Sequence, residues 1–261
     1  MKSFLAIIVT AISITSQAQG DPKETEVWDP KPPVITSTTA TTTAAPSDAI
    51  VLFNGKDLNE WTSVKTPGTP AMWTVADGAF TVKKGTGNIE TKRSFTDYQL
   101  HIEWKIPANI TGKGQARGNS GLFVASTGRG DDGYELQIMD SWENETYVNG
   151  QASSIYKQAA PLVNASKKPG EWQSYDVFWT APKFNTDSTL KSPAYLTVIH
   201  NGIIVQNHTE LKGKTVYIGQ PNYKAAHGPS PIKLQDHGDP SEPISFRNIW
   251  IREVKTPTPG N

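Results

Sequence analysis

The sequence predicts an all-β protein, a two-sheet antiparallel β-sandwich or jelly roll. Three observations carry this. Apolar and polar residues alternate over many short stretches, which is the period of a half-buried strand. Asx-Gly dipeptides separate those stretches at points where tight hairpins need them. No apolar period of 3.6 residues is sustained over a long segment. Numerous short strands with turn signals at this spacing suit a sandwich, whose outer sheet faces can form a binding groove.

The elements follow in order. "AMWTVADGAFTVKK" reads as two strands turning at Asp77-Gly78. "YQLHIEWKIP" alternates cleanly, with Tyr98, Leu100, Ile102, Trp104 and Ile106 on one face and Gln99, His101, Glu103 and Lys105 on the other. "GNSGLFVAS" and "GYELQIMD" form a pair around the turn "TGRGDDG". "WQSYDVFWTAP" presents Tyr175, Val177 and Trp179 to one side. "AYLTVIHNGIIVQNHTEL" is a hairpin at Asn201-Gly202, and "PIKLQDHG" and "ISFRNIWIREV" close the domain. Between "IMDSW" and "EWQSY" lies a long polar segment with no strand period, the kind of loop that often forms a lid or pocket wall.

The chain has 261 residues, with 25 basic and 25 acidic side chains and no cysteine. The balanced charge supplies no basic field for nucleic acid. The lack of cysteine excludes disulfides, a cysteine zinc site, a thiol nucleophile and a lipidated-cysteine anchor. Residues 1–18 read as a secretory signal peptide: Lys2 starts it, Phe4 to Ile14 form a short apolar core, and Ser16-Gln17-Ala18 is a small-x-small cleavage site. The expectation is an exported protein, periplasmic or secreted, with no later apolar run long enough to span a membrane. Residues 19–47 are rich in Thr and Pro and read as a linker, residues 49–254 as one β-sandwich domain, and residues 255–261 as a flexible tail.

Three stretches could carry chemistry. On "GYELQIMD", Tyr134, Leu136 and Ile138 take one face, and Glu135, Gln137 and Met139 the other. An outward carboxylate on a strand is ordinarily just solvated. Here an amide lies beside it, and Asp140 and Trp142 follow where the strand opens into the long loop. Carboxylate, amide and aromatic ring together suit a sugar, whose hydroxyls bond acceptors and whose CH faces stack on rings. In "ARGNSGLF", Arg117 and Asn119 add a guanidinium fork and a second amide. In "LQDHG", Gln235 and His237 share a face with Asp236 opposite, and His is the side chain suited to proton transfer near neutrality. His101 and Glu103 form a similar, lesser pair. No nucleophile elbow, zinc-protease helix, P-loop or dinucleotide fingerprint is present. No ligand spacing demands a metal; the cofactor expectation is none, with a divalent cation admitted through Glu135, Asp140 and a His.

"GNSGLFV", "YELQIMDSW", "NGQASSIYKQAAPLVNASKKPGEWQSYDVFWTAPKF", the ending "IKLQDHGDPSEPISFRNIWIREV" and the opening "LFNGKDLNEWT" together resemble the 3-keto-disaccharide hydrolase family, over about residues 50–254. The resemblance implies a concanavalin A-like sandwich acting on glycosides whose C3 hydroxyl is oxidised to a ketone. The family's polar motif positions fall on Arg117, Asn119, Ser120, Glu135, Gln137, Asp140, Tyr156, Gln235, His237 and Arg247. A 3-keto group acidifies the C2 proton, so a base, an acid and an enolate stabiliser suffice for elimination. Glu135 and His237 are the expected base and acid, in either order. Arg117 or a divalent cation is the expected enolate partner. Asn119, Gln137, Asp140, Trp142, Tyr156 and Gln235 are expected to bind substrate. Two other readings stand beside this one: a lectin-like binding module, and a two-carboxylate glycosidase pairing Glu135 with Glu103 at ~5–5.5 or ~6.5–9.5 Å. The expected partner is a sugar; the oligomeric state is left open.

Overall fold

The computed structural model describes residues 20–34 and 44–254. The signal segment 1–18, the tail 255–261 and residues 35–43 of the expected linker lie outside the described residues. The alternating stretches form two antiparallel sheets. The larger runs β13 (Ile203–Glu210), β12 (Tyr195–His200), β9 (Trp172–Thr180), β6 (Tyr98–Lys105), β15 (Ser245–Glu253), β4 (Ala79–Thr81) and β3 (Thr74–Ala76), with β1 (Ile50–Phe53) also pairing β15. The smaller runs β2 (Trp61–Ser63), β5 (Ile89–Thr91), β14 (Lys233–Leu234), β7 (Asn119–Ser126) and β8 (Gly133–Met139). A short ribbon of β10 (Lys183–Phe184) and β11 (Leu190–Ser192) stands apart. Both expected tight turns have the left-handed backbone that Asx-Gly supplies, with φ of 51° and 73° at Asp77 and Gly78 and 52° and 83° at Asn201 and Gly202. Among the described residues, no helix is long and apolar enough to cross a membrane.

Alternation explains the core. Tyr98, Leu100, Ile102 and Trp104 from the large sheet meet Leu122, Val124, Leu136 and Ile138 from the small one, all essentially inaccessible. Each such apolar side chain contributes about 1.5–3 kcal/mol by burial. Buried tyrosines tie the layers together through their hydroxyls: Tyr98 donates to the Val124 carbonyl and Tyr175 to the Gln137 carbonyl.

Two segments without strand period are nonetheless ordered against the small sheet. In the long loop, the Ser153 and Tyr156 amides donate to the carbonyls of Gln137 and Glu135, and the Gln137 amide donates to Ser154. The loop thereby covers the free edge of β8, whose backbone groups would otherwise be left unpaired. Residues 20–34, expected as linker, instead form a strap along this loop. The strap starts with a 3-10 turn at Pro22–Thr25. The Val27 amide donates to Asn149 Oδ1, Asn149 Nδ2 donates to the Thr25 carbonyl, and Trp28 sets its ring edge to Tyr147. Its backbone groups find fixed partners without any hydrophobic period, so the sequence pattern does not register it.

Candidate active site

The outer face of the small sheet carries a hollow of about 230 Å³. Glu135 and Gln137 on β8 and Asn119 on β7 form its floor, and Gln235 and His237 follow β14 into it. The backbone continues the ladder past Leu234: the Gln235 amide donates to the Gly121 carbonyl, and Ser120 Oγ donates to the Gln235 carbonyl. Tyr156 from the long loop, Gln115, Asp131, Thr215 and Tyr217 complete the wall. Tyr156 stands there because its amide bonds the Glu135 carbonyl, so the loop enters the site in register with the strand.

Glu135 is 7% exposed, and its carboxyl makes no hydrogen bond with the described residues. Burial pushes its pKa up to about 8, with the nearby Asp131 charge adding to the effect. The acid is therefore mostly protonated at neutral pH. Gly121 on β7, opposite Gln137 and diagonal to Glu135, makes the room: a Cβ there would lie 2.6 Å from Glu135 Oε1.

Around it, three amides lock one another. Gln137 Nε2 donates to Gln115 Oε1 at 3.2 Å, Asn119 Oδ1 at 3.3 Å and the Gly150 carbonyl at 3.2 Å. Asn119 Nδ2 donates to the Gln115 carbonyl at 2.8 Å. The donors are thus consumed within the protein, while the buried Gln137 Oε1 and Gln235 Oε1 find no partner among the described residues. Buried acceptors of this kind are costly unless a donor arrives, and two beside one hollow suit hydroxyl groups. Tyr156 and Tyr147 share a hydroxyl–hydroxyl bond of 2.7 Å, and burial pushes Tyr156 up to about 12. With Tyr147 as donor, Tyr156 keeps its own proton for the hollow. His237 places Nδ1 3.2 Å from Asp239 Oδ2, leaving Nε2 as the ring nitrogen for a substrate.

Of the residues expected at the site, Asn119, Glu135, Gln137, Tyr156, Gln235 and His237 meet here. Arg117, Asp140 and Trp142 do not line it. Arg117 Nε is instead held 2.7 Å from Asp140 Oδ2, and the Trp142 amide donates to Asp140 Oδ1. Burial raises the Asp140 pKa against the lowering pull of that amide and of Arg117. This pair staples the start of β7 to the end of β8 and is spent on structure, so the enolate role expected of Arg117 is withdrawn. Glu103 belongs elsewhere too: on the outer face of the large sheet it bonds Arg247 Nε at 2.6 Å and Asn248 Nδ2 at 2.8 Å. The carboxylate pair Glu135–Glu103 therefore does not share a hollow, which removes the two-carboxylate geometry between them. Gln115, Asp131, Thr215 and Tyr217 escaped the sequence reading. All four lie off the alternating strands, and only the turn signal at "TGRGDDG" could have pointed to Asp131. Among the described residues, no group of three or more His, Asp or Glu side chains is arranged to hold a metal ion.

A β-sandwich whose outer face holds a buried acid, unpaired amide oxygens and tyrosine rings in one hollow is the site of a carbohydrate-active protein, as the family match bears out. Residues 48–252 match the 3-keto-alpha-glucoside-1,2-lyase-like domain, and the chain belongs to that family. A crystallised candidate glycosyl hydrolase from Parabacteroides distasonis ATCC 8503 is similar at 50% identity, with a TM-score of 0.76, over 95% of this chain and 100% of its own. A second candidate glycosyl hydrolase from the same organism is 25% identical, with a TM-score of 0.56, over 79% of this chain and 99% of its own. A search of curated proteins returns no match.

Proposed function

We propose that this protein cleaves the glycosidic bond of 3-keto-glycosides, 3-keto-disaccharides among them, by elimination followed by hydration. The observation that carries the reading is Glu135: a carboxyl kept protonated near neutrality, in a hollow lined by unpaired hydroxyl acceptors. Such a group is poised to donate a proton to a departing glycosidic oxygen. His237 Nε2 removes the C2 proton, with Asp239 orienting the ring and stabilising the imidazolium. The electron pair passes into the C2–C3 bond and the ketone oxygen, where the Tyr156 hydroxyl donates to the enolate. The enolate then collapses to a C1–C2 double bond as the C1–oxygen bond breaks, and Glu135 protonates the leaving sugar. Addition of water, with its hydroxyl at C1 and a proton at C2, gives the free 3-keto sugar. The family's description as a lyase supports elimination over direct displacement.

The reading extends to location. The segment 1–18 would export the enzyme to the periplasm or medium, which N-terminal sequencing of the mature protein tests. For the activity, the test is release of the 3-keto monosaccharide from a 3-keto-disaccharide and from its unoxidised parent, each with and without EDTA. Cleavage of the oxidised sugar alone is expected, and a loss with EDTA would assign enolate stabilisation to a metal rather than Tyr156. Cleavage of the parent would replace this mechanism with ordinary hydrolysis. Binding without release from either would make the domain a lectin.

A further inference from the structure

The hollow around Glu135, about 230 Å³, falls short of the roughly 300–1,000 Å³ typical of ligand clefts. A second hollow of about 310 Å³ lies on the other side of Asp131, which lines both; Lys65, Asn88, Arg129 and Asp236 are among its walls. The two together reach the size of a cleft for more than one sugar ring. The segment Gln235-Asp236-His237, which follows the end of β14, feeds both: Gln235 and His237 line the first hollow and Asp236 the second.

The second hollow is built rather than incidental. Asp236 Oδ2 accepts the Gly85 amide at 2.8 Å and the Gly87 amide at 3.0 Å. Its other oxygen, Oδ1, is buried without a partner among the described residues. The divider is equally fixed. The fully buried Lys233 donates from Nζ to the carbonyls of Gly128, Gly130 and Asp132, at 2.9 Å each. Asn88 Nδ2 adds bonds to the Gly130 carbonyl at 3.0 Å and Asp131 Oδ1 at 2.8 Å. An ammonium at the centre of a turn thus holds Arg129 and Asp131 in place without touching either hollow itself.

We propose that the second hollow is the subsite for the leaving sugar of a disaccharide substrate. Asp236 Oδ1 and Asp131 accept its hydroxyls, and Arg129 and Lys65 donate at the rim. Two carboxylates against two cations give the hollow no net sign, so the ring it takes is an uncharged polyol. The inference rests on the keto-glycoside reading of the first hollow, which takes the oxidised ring.

The test compares kcat/KM on a 3-keto-disaccharide with that on methyl 3-keto-glucoside, whose aglycone is too small to reach across Asp131. The wild-type chain, Arg129→Ala and Asp236→Asn are assayed side by side; Arg129 is exposed, so its truncation leaves the fold intact even if Asp236→Asn disturbs the glycine turn. The expected result is a fall of about tenfold in the disaccharide-to-methyl ratio for each variant, the scale of one charge-assisted hydrogen bond. An unchanged ratio in Arg129→Ala would overturn the subsite while leaving the cleavage reaction standing. Failure of the wild-type chain on both substrates would overturn the reading of the first hollow, and this inference with it.

Discussion

Glu135 is held in a state that water would not allow it, and this has consequences for both stability and rate. Its pKa is raised to about 8 in the folded chain, against an ordinary 4.5. Between those values the unfolded chain loses a proton that the folded chain keeps, so stability falls as pH rises from about 4.5 to 8 and is level beyond. Glu135→Gln removes this penalty. The variant is expected to be more stable than the parent at pH 7, by roughly 3 kcal/mol, and to lose about 10²–10⁴-fold in kcat. Denaturant unfolding and turnover measured on the same preparation check the pair; a less stable, active variant would remove Glu135 from its role. With Glu135 as the acid, kcat/KM declines as pH rises through about 8, whereas a rise there would make it the base. Gly121→Ala tests the same space from the opposite strand. A methyl 2.6 Å from Glu135 Oε1 must displace the carboxyl, so turnover is expected to fall at least tenfold. Much of this was legible: alternation alone set Glu135 beside Gln137 and Gln235 beside His237. Arg117 was misplaced because pattern shows which face a residue shares but not that Asp140 has already claimed it.

At the scale of elements, the strands were readable and the segments that finish the site were not. A strand announces itself by its period. The long loop and the strap are held by hydrogen bonds from individual side chains and backbone groups, which leave no period. Asn149 shows how local such control is: its one side chain bonds the strap at both Val27 and Thr25. Lys157, next to Tyr156, joins the same parts, donating to the carbonyls of Pro22 in the strap and Tyr217 in the pocket wall. Asn149→Ala should therefore release residues 20–34 while leaving the sandwich folded. The expected loss is about 1–3 kcal/mol, with new proteolytic cleavage inside the strap. A strap that stays protected in this variant would show that its other anchors hold it without Asn149: the Lys157 bonds, the Val148 amide on the Val27 carbonyl and the Asn164 amide on the Pro33 carbonyl.

At the scale of the whole molecule, the two outer sheet faces differ: the small sheet bears the Glu135 hollow, and the large sheet a buried ionic network beside a hollow of about 600 Å³ lined by Glu103, Arg247 and Trp250. On the large sheet His101 stacks on Trp250, bonds Asp176 Oδ1 at 2.7 Å and lies 3.6 Å from Glu103 Oε1. Burial alone would lower the histidine's pKa; bonds and charge from Asp176 and Glu103 outweigh it and raise it from 6.5 to about 9. Burial likewise opposes ionisation of Glu103, yet His101, Asn248 and Arg247 prevail and lower its pKa below 4.5. The signs follow from linkage. The His101 contribution is fully present below pH 6.5 and is lost as pH rises through about 9. The Glu103 contribution is present above pH 4.5 and is lost as pH falls through its folded value. Glu135 adds its own decline from about 4.5 to 8. Together the three place maximum stability near pH 4.5 to 5, where Glu103 is still ionised and the Glu135 decline has barely begun, even though the chain's formal net charge at pH 7 is +0 and self-repulsion gives no such preference. Thermal unfolding across pH 4–10 is expected to show the melting temperature falling steadily above about pH 5. His101→Gln keeps a hydrogen-bonding side chain but cannot titrate, so it should lower stability at pH 6 by on the order of 3 kcal/mol and flatten the decline between pH 7 and 9. A variant whose curve runs parallel to the parent's would mean that the histidine is neutral in the fold and that Glu103 is held by Arg247 and Asn248 without it.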